Sequence, residues 1–138
     1  MAKIGFVSCV SQKLPYAAPA RDLYTSALFT KARLYVQKHC DEWFILSAKY
    51  GLLTPDDNIE PYDVTLNTMP ATDRRQWAQH VLPDIHANTN VGDVLVFLAG
   101  QKYRQYLIPL LEASGYQIEV PMQGLGIGKQ LQWLGENL

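Results

Sequence analysis

Short apolar runs alternate along this chain with longer stretches in which apolar positions recur at helical spacing. Lys3-Ile4-Gly5-Phe6-Val7-Ser8 is almost continuously apolar, the pattern of a central strand covered on both faces. A polar loop over residues 9–21 follows, broken by Pro15 and Pro19. Thr25 or Ser26 then supplies a cap for a helix over residues 27–39. Within that helix Leu28, Ala32, Tyr35 and Val36 form one stripe, while Lys31, Arg33 and Lys38 turn towards water. Further strands are predicted over residues 43–47, 93–99 and 116–120. The intervening patterns predict a helix over residues 71–86, bent or interrupted near Pro83, and another over residues 101–114, bent or interrupted by Pro109, that ends at Gly115. A short helix closes the chain. Strand and helix alternating in this way predict one α/β domain over residues 1–138, three layers deep, with a mainly parallel central sheet.

The longest interruption of this rhythm follows the second strand. From Ser47 to Asp63 the chain is polar, aromatic-bearing and bounded by Pro55 and Pro61, which restrict both themselves and the residues before them. A long loop with a stiff frame at the carboxyl end of a strand lies where α/β proteins bind ligands. Ser47, Lys49, Tyr50, Gly51, Tyr62 and Asp63 are its candidate site residues. The sequence Gln123-Gly124-Leu125-Gly126-Ile127-Gly128-Lys129 adds a turn whose amides can receive an anion, with Gly126, Gly128 and Lys129 as candidates. A tight turn before a packed helix explains the same glycines.

Composition narrows the picture. With 12 basic and 13 acidic residues the chain has no general attraction for polyanions, although a local basic patch remains open. Its two cysteines are too few for a disulfide framework and read as reduced thiols of a cytoplasmic protein. No apolar run approaches the roughly 20 residues of a membrane span, so no membrane association is predicted. Repeats, linkers and low-complexity tracts are absent from the sequence. Arg74 and Arg75, in a polar first turn, read chiefly as a solvated face, with phosphate contact as the alternative.

For chemistry, Ser8-Cys9 ends the first strand and Lys13 follows in the same loop. A cysteine near a lysine and a helix N-terminus can act as a nucleophile, and a lysine in a dry pocket can act as a base or attack an electrophile. The alternative for Cys9 is a buried filler. Asp57, Glu60 and Asp63 are candidate acids or bases, and the aspartates equally suit loop-fixing roles. The nucleophile elbow, the zinc-protease motif, paired C-x-x-C, the dinucleotide fingerprint and the P-loop are all missing. His39 beside Cys40 does not make a metal site, and His80 and His86 fall on different helix faces, so neither metal nor cofactor is predicted.

Residues 47–62, SAKYGLLTPDDNIEPY, resemble the S-x-x-Y-G-L-L-x-P-x-D-x-M-x-P-Y signature of the peroxide-stress protein YaaA family. The whole chain is similar to a family of short uncharacterised bacterial and phage proteins. The shared features are Ser8-Cys9 with Lys13, Asp22-Leu23-Tyr24-Thr25-Ser26, residues 46–53, Pro61-Tyr62-Asp63 and residues 124–128. A weaker resemblance is to the core domain of archaeosine synthase. It is carried by Cys9, Lys13, Pro15, Tyr16, Gly51, Leu52, Pro55, Tyr62 and Asp63, with Ser8 in place of a proline and Leu14 inserted.

That last resemblance implies a pocket for a modified purine. The expectation is an enzyme acting on a nucleobase, nucleotide or nucleic-acid base, with Cys9, Lys13 and Asp63 catalytic. Ser8, Ser47, Lys49, Tyr50, Gly51, Tyr62, Gly126, Gly128 and Lys129 would hold the ligand. The alternatives are a noncatalytic nucleic-acid-binding stress-response protein and a small-molecule-binding domain.

Overall fold

The computed structural model describes residues 2–8 and 12–138. In chain order its elements are β1 (Lys3–Ser8), β2 (Ala18–Pro19), α1 (Ala20–Leu23), α2 (Ala27–His39), β3 (Glu42–Ser47), β4 (Gly51–Leu53) and β5 (Asn58–Ile59). A 3-10 turn (Leu66–Thr68) leads to α3 (Ala71–Asn88), β6 (Val94–Leu98), α4 (Gln101–Arg104), α5 (Leu107–Ala113), β7 (Gln117–Glu119) and α6 (Ile127–Asn137). Five strands form the central sheet in the order β4-β3-β1-β6-β7. β1 pairs in parallel with β3 and β6, β6 pairs in parallel with β7, and β4 runs antiparallel to β3. The fold is thus a three-layer α/β architecture with a mostly parallel sheet.

β1 occupies the middle because both of its faces are apolar. Ile4 and Phe6 join Phe44, Leu46, Leu95 and Phe97 in a core closed by α3, α4 and α5. Phe6 stacks on Phe97 and Phe44, with ring centres 4.9 and 5.8 Å apart. Val7, with Ile45 and Leu98, points into the opposite core, closed by Phe29, Ala32 and Val36 of α2 and Leu134 of α6. Burial on both faces is why the strands read as apolar runs without alternation. Gly5 permits close approach on the α2 side, since a Cβ there would lie 2.7 Å from Val36 Cγ1.

Several local expectations are corrected. The interruption expected in the helix over residues 101–114 is present but lies ahead of Pro109, parting α4 from α5 at Gln105 and Tyr106. Pro109 sets this break: its ring would clash with the carbonyl four residues earlier, that of Gln105, whereas in the first turn of α5 its missing N–H is harmless. α3, by contrast, continues through Pro83 to Asn88. Pro83 and Gln79, whose carbonyl loses its partner, are both exposed, so water can satisfy that oxygen. The 3-10 turn ahead of α3 has its own cap, Thr65 Oγ1 accepting the Asn67 N–H (3.2 Å), and the N-cap of α3 is Pro70.

Arg74 is buried, not part of a solvated face. Its Nε donates to the Met69 carbonyl (3.3 Å), Nη1 to Gln105 Oε1, and its guanidinium lies 5.4 Å from the Tyr106 ring centre. Arg75 stays exposed on the same ring at 4.9 Å.

Candidate functional site: a switch-point cavity beside a tyrosine-lysine cluster

The direction of chain crossover changes beside β1. From β1 the chain passes through α2 on one face, and from β6 through α4 and α5 on the other. Between the carboxyl ends of β1 and β6, α2 and α4 therefore diverge and leave a crevice, the usual ligand position in open α/β sheets. A cavity of about 720 Å³ occupies it. Its walls are largely apolar, including Phe29, Phe97, Leu98, Met122 and Leu131, with Ser8, Gln12, Asn67, Gln101 and Gln130 as polar points.

Ser8 Oγ at the rim accepts the Gly100 N–H at 3.1 Å and so ties β1 to the β6–α4 junction. Arg104 reaches the wall from α4, and its Nε donates to the Ala99 carbonyl at 2.9 Å. Partial burial lowers the affinity of its guanidinium for its proton. The α2 and α6 N-termini also border this space, one capped by Ser26 Oγ through Phe29 N–H (3.1 Å), the other beginning at Gly126 without a side-chain cap.

A second assembly sits in the adjoining loops. Residues 12–14 pair with the chain around Tyr24: Leu14 N–H donates to Leu23 O (2.8 Å) and Thr25 N–H to Gln12 O (3.0 Å). Gln12 lines the cavity, whereas Lys13 Nζ lies 4.5 Å from the Tyr62 ring centre and 5.8 Å from that of Tyr24. The Tyr24 and Tyr62 hydroxyls are 2.5 Å apart, and Ser47 Oγ donates to Tyr62 Oη at 2.8 Å. Ser47 is fully buried. Its Oγ also accepts the Tyr50 and Lys49 N–H groups (3.0 and 3.2 Å), while its carbonyl takes the Trp77 indole proton (2.9 Å).

The long loop is thereby fixed from below. It is fixed from the side by Ala20 N–H to Asp57 O (2.7 Å), Arg21 N–H to Pro55 O (3.0 Å) and an Arg21–Asp56 ion pair. Asp57 has the loop-fixing role, accepting Thr54 N–H at 2.9 Å.

The candidate residues consequently separate. Ser8 and Gly126 line the cavity. Lys13, Ser47, Tyr50 and Tyr62 form the neighbouring cluster, where Tyr50 meets the Tyr62 ring edge-to-face at 5.5 Å. Lys49 is exposed, with its Nζ 5.3 Å from the Tyr50 ring centre. Gly51 has a backbone role: at φ +76° it turns the chain into β4, a conformation that a side chain would strain. Gly128 and Lys129 are exposed in the first turn of α6. Asp63 is exposed and, among the described residues, forms no ion pair with Lys13. Cys9 lies outside the described residues.

Sequence reasoning missed Gln12, Asn67, Arg104 and Gln130. Their only signal was indirect, since Arg104 lies one helical turn beyond Gly100, at the carboxyl end of a predicted strand.

These features define a three-layer α/β protein with a ligand-sized cavity at its switch point and a rigid, aromatic-rich loop beside it. The chain belongs to the family described as "Family of unknown function (DUF6884)", whose model matches residues 4–136. It is 35% identical to "Uncharacterized protein YfjM" of Bacillus subtilis (strain 168), across 97% of this chain and 93% of that protein. It is also 35% identical to "UPF0246 protein LBA1843" of Lactobacillus acidophilus (strain ATCC 700396 / NCK56 / N2 / NCFM), across 71% of this chain and 39% of that protein. The chain thus spans about two fifths of the latter's length. The second relationship carries the link to UPF0246 and YaaA-type proteins that the loop signature implied.

It also corrects the expectation of a nucleobase-modifying enzyme and, with it, the modified-purine pocket. Of the readings that the sequence allowed, this relationship supports the alternatives better than a nucleobase-modifying enzyme. Among the described residues no group of three or more His, Cys, Asp or Glu converges to hold a metal ion, and Lys13 and Asp63 form no ion pair. Among those residues, too, no helix is long and apolar enough to cross a membrane.

Proposed function

We propose that this chain is a noncatalytic ligand-binding protein of stress-response type, and that its switch-point cavity holds a small organic molecule. The cavity is the observation that carries this reading. At about 720 Å³, with apolar walls and a few polar points, it has the size and character of small-molecule sites, which run from about 300 to 1,000 Å³. The tyrosine-lysine cluster then serves as scaffold, its hydroxyls and ammonium spent on one another while it locks the loops beside the crevice. A cytoplasmic setting suits the free thiol of Cys40.

The test is a thermal-shift and native mass-spectrometry screen with small organic molecules, run beside Ala27→Trp. Ala27 is exposed on the cavity rim, so an indole there obstructs the space without invading either core. The reading expects a bound molecule, recovered chemically unchanged, whose stabilisation Ala27→Trp removes. Turnover of the molecule would overturn the noncatalytic part. Stabilisation by DNA or RNA alone, equal in both proteins, would move the function to polymer binding and away from the cavity.

A further inference from the structure

Resting on the cavity reading, we propose that the ligand is an organic anion, an apolar body carrying a carboxylate or phosphate that the Arg104 guanidinium receives. Among the described residues lining the cavity, Arg104 is the only charged side chain, and neither Asp nor Glu shares the wall. The guanidinium is held by one anchor, Nε to the Ala99 carbonyl at 2.9 Å. Among the described residues it forms no ion pair; Glu112 shares with it only the wall of a second, smaller pocket on the other side. A partly desolvated cation on the wall of an apolar chamber that holds no carboxylate discriminates by charge. It repels an amine, offers a neutral amide an ordinary hydrogen bond, and gives an oxyanion a charge-assisted pair. Phe29, Phe97, Leu98 and Met122 supply the surface for the apolar body.

Two matched series test this by calorimetry on the full chain: indole-3-acetate, indole-3-acetamide and tryptamine; and octanoate, octanamide and octylamine, with octyl phosphate added. The anions are expected to bind tightest in each series, and carboxylate against phosphate identifies the headgroup. Arg104→Gln should weaken the anions by roughly tenfold to a hundredfold while leaving the amides within about twofold, the difference expected between charged and neutral hydrogen bonds. Arg104→Lys should recover part of the preference, which a purely structural arginine would not produce. Amides that bind as tightly as the anions, in a manner blocked by Ala27→Trp, would overturn the anion assignment and leave the cavity reading standing. So would an anion preference that survives in Arg104→Gln. Binding of neither series, or binding indifferent to Ala27→Trp, would overturn both.

Discussion

The Lys13 ammonium rests over the face of Tyr62, 4.5 Å from the ring centre, while the hydroxyl of that tyrosine accepts a hydrogen bond from buried Ser47. One aromatic side chain, carried by the segment after β5, thus joins the loop after β1 to the end of β3. Lys13→Met, which keeps most of the stem, should cost about 0.5–2 kcal/mol through the lost cation–π contact. In a Tyr62→Leu background the same substitution should cost less, because the ring is already gone. Urea unfolding of the four proteins of this cycle gives the coupling directly. Equal costs in both backgrounds would show that the contact contributes nothing.

Tyr62→Phe isolates the hydroxyl. It leaves the ring for Lys13 but removes the acceptor of the Ser47 hydroxyl and one partner of Tyr24. A buried polar group deprived of its partner costs about 1–3 kcal/mol, so Tyr62→Phe should be clearly destabilising although it deletes a single oxygen. Denaturation midpoints measured beside Tyr50→Phe, an exposed tyrosine of the same cluster, provide the contrast; the second change should stay within about 0.5 kcal/mol.

The strands of the sheet interior were legible because burial on both faces leaves an unbroken apolar run, as at Val94–Leu98, which every neighbouring element reinforces. What escaped was set by partners distant in sequence. β4 is three residues long and exists because Ser47 and Leu46 offer it an edge, and β2 and β5 are each two residues that pair only with one another. Arg74 and Arg75 look alike in sequence, and only the position of Met69, Gln105 and Tyr106 buries one and exposes the other.

In the candidate site, the loops were legible from their prolines and aromatics. Their internal contacts were not: Lys13, Ser47 and Tyr62 contact each other, and the open space lies beside them, at Gln12, one residue from Lys13, and at Ser8.

Gly5 tests the packing between β1 and α2. Adding a Cβ places it 2.7 Å from Val36 Cγ1, 2.9 Å from Val36 Cβ and 3.3 Å from Cys40 Sγ, closer than packed carbons tolerate. Gly5→Ala should therefore cost about 1–3 kcal/mol by overpacking, despite the better intrinsic strand propensity of alanine. Trimming the obstacle with Val36→Ala should make the pair less destabilised than the sum of the single changes. Chemical unfolding of both singles and the double would expose an additive pair, which would mean that α2 simply shifts away.

Asp93 predicts how stability responds to acid. Its carboxylate accepts the Asn90 N–H at 2.9 Å and the Ala2 N–H at 3.0 Å, tying the turn before β6 to the entry of β1. These two backbone hydrogen bonds, led by that of Asn90, hold its carboxyl below the ordinary range. The folded state therefore prefers the ionised form more strongly than the unfolded chain does. This contribution is complete above the ordinary aspartate value of about 3.9, and it is lost as the pH falls through the lower value of the folded protein. Asp93→Asn should be less stable than the wild type near neutrality, and the two curves should converge in acid as protonation deprives the wild type of the same interaction. Urea unfolding followed from neutrality down to about pH 2 measures the gap. A gap that stays constant across that range would show that Asp93 acts through packing rather than through its charge.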